Sequence, residues 1–253
     1  MDLGLKGLKA LVTGGTRGIG RAIAETLAAE GCDIAICARN AKEVRATVAA
    51  LKTRGVKITG AAVDVSDDPR LRAWVGEAAA TLNGIDIIVA NVSAMAISDD
   101  NRGWSSGFST DLMGTVRLVD AATPFLLASK ASAIVTISSV SAREIDPESG
   151  PYGVFKAAII HYTQLLAQKL AAQGIRANSV SPGTTYFKGG IWDQIKDADP
   201  AVYHEALYLN PTGRMGTPQE IANAALFLAS PAASFISGAN LVVDGALTRS
   251  VQL

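Results

Sequence analysis

The sequence predicts a doubly wound α/β fold, a seven-stranded parallel sheet with helices on both faces. Short apolar runs alternate with helical stretches nearly to the end of the chain. Strands separated by helices imply crossovers and parallel pairing. Residues 9–13, 33–38 and 85–90 are almost continuously apolar, as expected of strands covered on both faces. The composition agrees, with 49% hydrophobic and 18% charged residues.

Taken in order, residues 9–13 form the first strand. Residues 20–30 follow as a helix with Ile23, Ala24 and Leu27 on one face. Residues 33–38 are the second strand and 42–53 a helix. The third strand is 58–63, followed by a helix over 69–82. Residues 85–90 are the fourth strand, and 104–128 read as one long helix. The fifth strand is 133–137. Residues 152–173 form a second long helix, ended by Gly174, and 176–180 the sixth strand. A late helix over 218–228 leads to the seventh strand at 240–243. Nothing rich in Pro, Gly or Ser divides residues 1–253, so the expectation is a single domain. The irregular stretch is 184–216, and a segment this long inside a compact domain is usually functional.

The charges cancel, 23 basic against 23 acidic. A phosphate-backbone binder needs a basic surplus or stripe, so nucleic acid is not an expected partner. Cys32 and Cys37 read as buried, reduced thiols, since five residues of nearly straight chain do not close a disulfide. That suits a cytoplasmic protein. The first residues show no basic stretch leading into an apolar one. No apolar run approaches the roughly 20 residues of a membrane span.

Chemistry begins where strand one ends. Thr13-Gly14-Gly15-Thr16-Arg17-Gly18-Ile19-Gly20 is a glycine-rich turn between a strand and an amphipathic helix. Backbone N–H groups and the helix dipole make such a turn a phosphate cradle. Gly14, Gly18 and Gly20 leave room where the backbone turns or meets a pyrophosphate. The spacing Gly-x-x-x-Gly-x-Gly differs from the general dinucleotide fingerprint. Its position after strand one makes it a dinucleotide signal and the domain Rossmann-type. An acid at the end of strand two reads the ribose 2′-hydroxyl of NAD, whereas arginine suits the 2′-phosphate of NADP. Here strand two ends Cys37-Ala38-Arg39-Asn40, with no acid. Arg17 is a second guanidinium for a dianionic group. The expected cofactor is NADP(H). Asp64-Val65, after strand three, suits the adenine edge.

Tyr152-Gly153-Val154-Phe155-Lys156 places a phenol and an ammonium on one helical face. The ammonium favours the phenolate, so the tyrosine can donate or accept a proton near neutral pH. Ser139 ends the fifth strand at the same sheet edge, where its hydroxyl can polarise a substrate oxygen.

The chain resembles the short-chain dehydrogenase/reductase family, of the type about 250 residues long. The resemblance spans the chain and rests on motifs in order: the glycine turn, Asp64-Val65, Asn91, Ser139, Tyr152-x-x-x-Lys156 and Pro182-Gly183. It implies Tyr152 as general acid/base and Ser139 as holder of the carbonyl or alkoxide oxygen. Lys156 would bind the nicotinamide ribose and tune Tyr152. Asn91 would line the ribose side. Pro182-Gly183 with Thr184 or Thr185 would pass the nicotinamide and diphosphate. Ile19 and Thr16 belong to the cradle, and Arg17 with Arg39 matches the NADP-preferring subgroup.

Three positions depart from the family pattern. Asn91-Val92-Ser93 stands where Asn-Ala-Gly is common. Asp111 stands where an Asn usually offers its backbone carbonyl to a water beside the active lysine. That carbonyl is kept, but the new charge can reach Lys156 or the proton route. Phe187 stands where a threonine is frequent.

Substrate preference is expected in residues 93–97, 142–150 and 184–210. Met95, Ile97, Ile145, Tyr186, Phe187 and Trp192 make an apolar lining, and Arg143 and Glu144 are the nearest charges. His161, nine residues after Tyr152, faces away from it. Trp104 and Met113 read as packing or interface residues. Small apolar residues on several faces of the two long helices suggest burial beyond the sheet, and the resemblance implies a homodimer or tetramer. The expected activity is hydride transfer between NADP(H) and a small carbonyl or secondary alcohol. Two rivals remain, a catalytically silent dinucleotide-binding sensor or scaffold, and a cofactor-free lyase or dehalogenase. Turnover on a carbonyl panel separates the first, and micromolar NADPH binding the second.

Overall fold

A computed structural model describes residues 2–146 and 149–251. Seven parallel strands form one sheet in the order β3-β2-β1-β4-β5-β6-β7. They are β1 (Lys9–Thr13), β2 (Asp33–Ala38), β3 (Ile58–Ala62), β4 (Ile87–Ala90), β5 (Ala133–Ile137), β6 (Arg176–Pro182) and β7 (Asn240–Val243). The strand order reverses between β1 and β4. Loops on either side of that switch diverge and leave a crevice at the carboxyl ends.

Alternate strand residues feed two cores. Val12, Ile34, Ile36 and Val89 face α1 (Gly18–Ala29) and α9 (Pro218–Ala229), with Leu51 of α2 (Ala41–Leu51) in the same core. Leu11, Ala35, Cys37 and Ile88 face α3 (Asp68–Leu82), α5 (Met113–Leu127) and α6 (Pro151–Leu170). The period of two along a strand does this sorting. Cys32 and Cys37 are free and buried, and burial pushes both thiols up to about 12. Among the described residues no helix is long and apolar enough to cross a membrane.

Several elements differ from expectation, four of them with a bearing on the site or its surroundings. β4 starts two residues late, at Ile87, although Asp86 still donates its amide to the Lys9 carbonyl (2.9 Å) and its carbonyl accepts from the Ala133 amide (3.0 Å); its carboxylate also accepts from the Lys9 amide (2.8 Å) and the Ser129 hydroxyl (2.5 Å). β6 runs two residues longer, because Ser181 and Pro182 pair with Val242 and Val243. The expected single helix over 104–128 is broken. It starts earlier, as α4 (Asn101–Gly107), where Asp100 caps the Gly103 amide (2.7 Å). A π-helical turn, Phe108–Leu112, then precedes α5. Residues 184–216 are not irregular throughout; they hold α7 (Ile191–Ala198) and α8 (Pro200–Leu209). Their ends meet at a parallel bridge between Thr185 and Gly216.

Candidate active site

The glycine turn passes from β1 into α1. Arg17 caps that helix with no side-chain bond, and no acid sits in its first turn. The leading N–H groups of α1 therefore keep their positive potential. Gly14 and Gly20 are required by a neighbour rather than by a ligand. A Cβ at Gly20 would lie 2.3 Å from the Gly14 carbonyl oxygen and 2.4 Å from Asn91 Nδ2. Asn91 Nδ2 donates to the carbonyls of Thr13 (3.0 Å) and Gly14 (3.4 Å), and its backbone amide donates to Thr13 Oγ1 (3.0 Å). Asn91 thus ties the end of β4 to the turn, a bracing role that its place in the motif did not reveal.

Arg17 and Arg39 are both exposed at this edge, while Ile19 packs its side chain on the core. Thr16 donates its hydroxyl to Glu43 (3.1 Å), which also accepts from the Asn40 side chain (3.1 Å). The sequence reading did not single out Glu43, although Asn40-x-x-Glu43 has the spacing of a reciprocal helix cap. Asp64 accepts from the Ser66 hydroxyl (2.7 Å) and amide (2.9 Å). Burial works against its ionisation, but those bonds and the charge of Arg39 prevail and hold the carboxyl below its ordinary value. Val65 is buried against Gly114 of α5.

Tyr152 and Lys156 share a face at the start of α6, with the ammonium 5.5 Å from the ring centroid. Lys156 is buried and donates to the Ile137 carbonyl (3.1 Å). Ser138 donates to the Lys156 carbonyl (2.8 Å), pinning that helical turn to the end of β5. Ser139 is buried; its hydroxyl donates to Ser141 Oγ (3.2 Å) and accepts from the Ser141 amide (3.1 Å). The π turn brings in Asp111. Its Oδ1 lies 3.3 Å from Lys156 Nζ, and its Oδ2 accepts from the Ala94 amide (2.8 Å). Its backbone carbonyl accepts from the Thr115 hydroxyl (2.7 Å).

On the far side, Pro182 and Gly183 end β6. Thr185 donates to the Gly183 carbonyl (3.0 Å), and Thr184 Oγ1 is buried with no hydrogen-bond partner among the described residues. Phe187, expected in the substrate lining, instead lies on the glycine turn. A Cβ at Gly18, whose φ is +54°, would meet its ring at 2.6 Å, and one at Gly190 would meet it at 2.9 Å. No sequence signal marks this contact, because its partners lie far apart in the chain. Met95, Ile97 and Ile145 are exposed apolar side chains. Residues 147 and 148 of the expected lining lie outside the described residues. Arg143 and Glu144 turn to residues 251 and 250 of the tail. His161 is exposed.

The family model described as enoyl-(acyl carrier protein) reductase matches residues 14–248. The chain belongs to the short-chain dehydrogenase/reductase family of oxidoreductases. Isoepoxydon dehydrogenase of Penicillium expansum is 40% identical to it over all of this chain and 99% of its own. Among solved structures, the NADPH-bound short-chain oxidoreductase of Pseudomonas aeruginosa, described as having an atypical catalytic centre, superposes with a TM-score of 0.90. It is 30% identical over 96% of this chain and 98% of that one. A short-chain dehydrogenase of Burkholderia cenocepacia in complex with NADP gives 0.88 at 30% identity, again over 96% and 98%.

Proposed function

We propose that this oxidoreductase uses NADP(H) to interconvert a carbonyl and a secondary alcohol, with Tyr152 as the proton-transferring group. The observation that carries this reading is the buried Lys156 ammonium beside the Tyr152 ring, at the sheet edge where Ser139 lies. The cofactor suits the residues present. The uncapped start of α1 offers N–H groups to a diphosphate, and Arg17 and Arg39 offer guanidiniums to a 2′-phosphate. Asp64-Val65 serves the adenine. Asn91 braces the cradle. Thr184 Oγ1, buried and unpartnered, is a polar atom for the nicotinamide end beside Pro182, Gly183 and Thr185. The bound nicotinamide supplies or takes the hydride. Ser139 and Tyr152 hold the substrate oxygen, and Tyr152 gives it a proton in reduction or takes one in oxidation.

The relation to isoepoxydon dehydrogenase makes isoepoxydon and similar oxygenated ring compounds the first substrates to test. The experiment is NADP+ reduction and NADPH oxidation over cyclic alcohols and ketones, with acyl thioesters as a second panel. Absence of turnover on every member, with NADPH still bound, would favour the silent sensor.

The protein works as a homo-oligomer built on α5 and α6. Phe108, Val154 and Leu165 are each about half exposed on these helices or the π turn, which is apolar surface that a second copy can bury. Sedimentation as a monomer at micromolar concentration would overturn this. The two buried free thiols suit the reducing cytoplasm. A fluorescent fusion found in a secreted fraction would refute that placement.

A further inference from the structure

Asp111 and Lys156 are a buried pair of opposite charges, with side chains 3% and 2% exposed. Two different groups face the two carboxylate oxygens. Oδ2 takes the Ala94 amide at 2.8 Å. Oδ1 makes no hydrogen bond, and its neighbour is the ammonium at 3.3 Å. This contact therefore rests on charge rather than on aligned donor geometry. A carboxylate satisfies both neighbours. An asparagine does not, because its two ends differ. With the amide oxygen on Ala94, the NH2 faces the ammonium; with the oxygen on Lys156, the NH2 faces the Ala94 N–H.

We infer that Asp111 is a positioning residue matched to Lys156: its carboxylate orients the active-site ammonium and offsets part of the ammonium's charge at Tyr152. This rests on the reading of Tyr152 and Lys156 given above. Lys156 has three protons to donate. Ile137 takes one at 3.1 Å, and Asp111 draws a second by charge. One remains for the nicotinamide ribose. Among the described residues, the ionisable groups in contact with Lys156 are Asp111 from the π turn and Tyr152 from α6 itself. The end of β5 presents the Ile137 carbonyl with Ser138 and Ser139, and residues 91–94 carry no ionisable side chain. Arg143 and Glu144 bond to the chain's tail instead.

The test uses Asp111→Asn, Lys156→Met and the double variant. In cofactor-free protein, Asp111→Asn leaves a buried ammonium without its counter-ion, and the melting temperature should fall by roughly 6 °C or more. The double variant has no unpaired charge and should melt above Asp111→Asn. Equal melting of Asp111→Asn and wild type, or no recovery in the double variant, would overturn the pairing. The pH profile of kcat/KM for alcohol oxidation reads the charge effect. An ammonium without its offset favours phenolate more strongly, so the acidic limb should move down by about half a pH unit or more in Asp111→Asn. A limb that stays in place, with stability lost, would make Asp111 merely structural. If Asp111→Asn does not fold, Asp111→Glu provides the profile. Its carboxylate keeps the charge and should keep the wild-type limb, and a limb shifted like a charge loss would overturn the inference. The melting comparison needs neither cofactor nor turnover, so failure of the proposed activity in wild type shows itself separately.

Discussion

At the carboxyl ends of β4 and β5, polar groups are buried or half-buried and committed to one another. Asn91 holds two carbonyls of the glycine turn, Lys156 lies between Ile137 and Asp111, and Ser138 fixes the helix that carries Tyr152. Residues 184–216 are built the other way. Helix α7 has no buried residue. Many of the segment's contacts are exposed or half-exposed: Tyr186 donating to Asp193 (2.6 Å), Lys196 over the rings of Tyr186 and Tyr203, and Arg214 on Glu220 (2.6 Å), whereas Ala206, Asn210 and Met215 anchor its second half by burial. Phe187 reaches from it to the glycine turn. The positions proposed to handle protons are held by buried partners, where a lost partner is costly. The region expected to choose the substrate is tied down by weak contacts that can open and reclose.

The largest effect is expected in the rigid region. Tyr152→Phe should lower kcat by about 10²- to 10⁴-fold with NADPH affinity unchanged in a fluorescence titration. Near-normal turnover would remove Tyr152 from its role. At the cofactor edge, Arg17→Ala and Arg39→Ala should each raise the dissociation constant of NADPH by roughly tenfold or more, since each removes a charge-assisted contact. NADH binding should barely change, and equal losses for both cofactors would refute the assignment of the 2′-phosphate.

In the loosely held segment the effects should be smaller. Phe187→Ala should weaken NADPH binding by about threefold to tenfold and speed proteolysis within residues 184–216, because the ring no longer anchors the segment to Gly18. Unchanged proteolysis would show that the anchor lies elsewhere. The smallest change is expected at Glu220. Its bonds from Arg214 and then from the Thr217 amide hold the carboxyl down from 4.5 to about 2. A depressed carboxyl contributes stability above its ordinary value, and that contribution fades as the pH falls through the folded value. Both partners are exposed, so Glu220→Gln should lower the melting temperature at pH 7 by no more than about 2 °C. The difference from wild type should shrink as the pH approaches 2 and vanish below it. A difference that persists there would be a packing effect.

Fold class and strand positions were legible because burial on both faces writes continuous apolar runs into a chain. Element ends were less so. Just before β4, the Asp86 carboxylate meets Lys9 and Ser129, contacts between segments distant in sequence. The break between α4 and α5 is not marked within its own residues, since 108–112 contain neither Gly nor Pro, although Gly107 directly precedes it. At the site, the Tyr152–Lys156 spacing became readable only through its place after the fifth strand and Ser139, and the glycine turn through its place after β1.

Local pattern therefore determined the strands, the glycine turn and the tyrosine–lysine spacing, because each depends on residues close together in the chain. Tertiary structure decided what those groups touch. Only the assembled edge could show that Gly20 makes room for Asn91, that Phe187 lies on Gly18, and that Asp111 meets Lys156 in a place water does not screen. A charge read along a sequence carries no dielectric and no partner. Burial between β4, β5 and α6 supplied both.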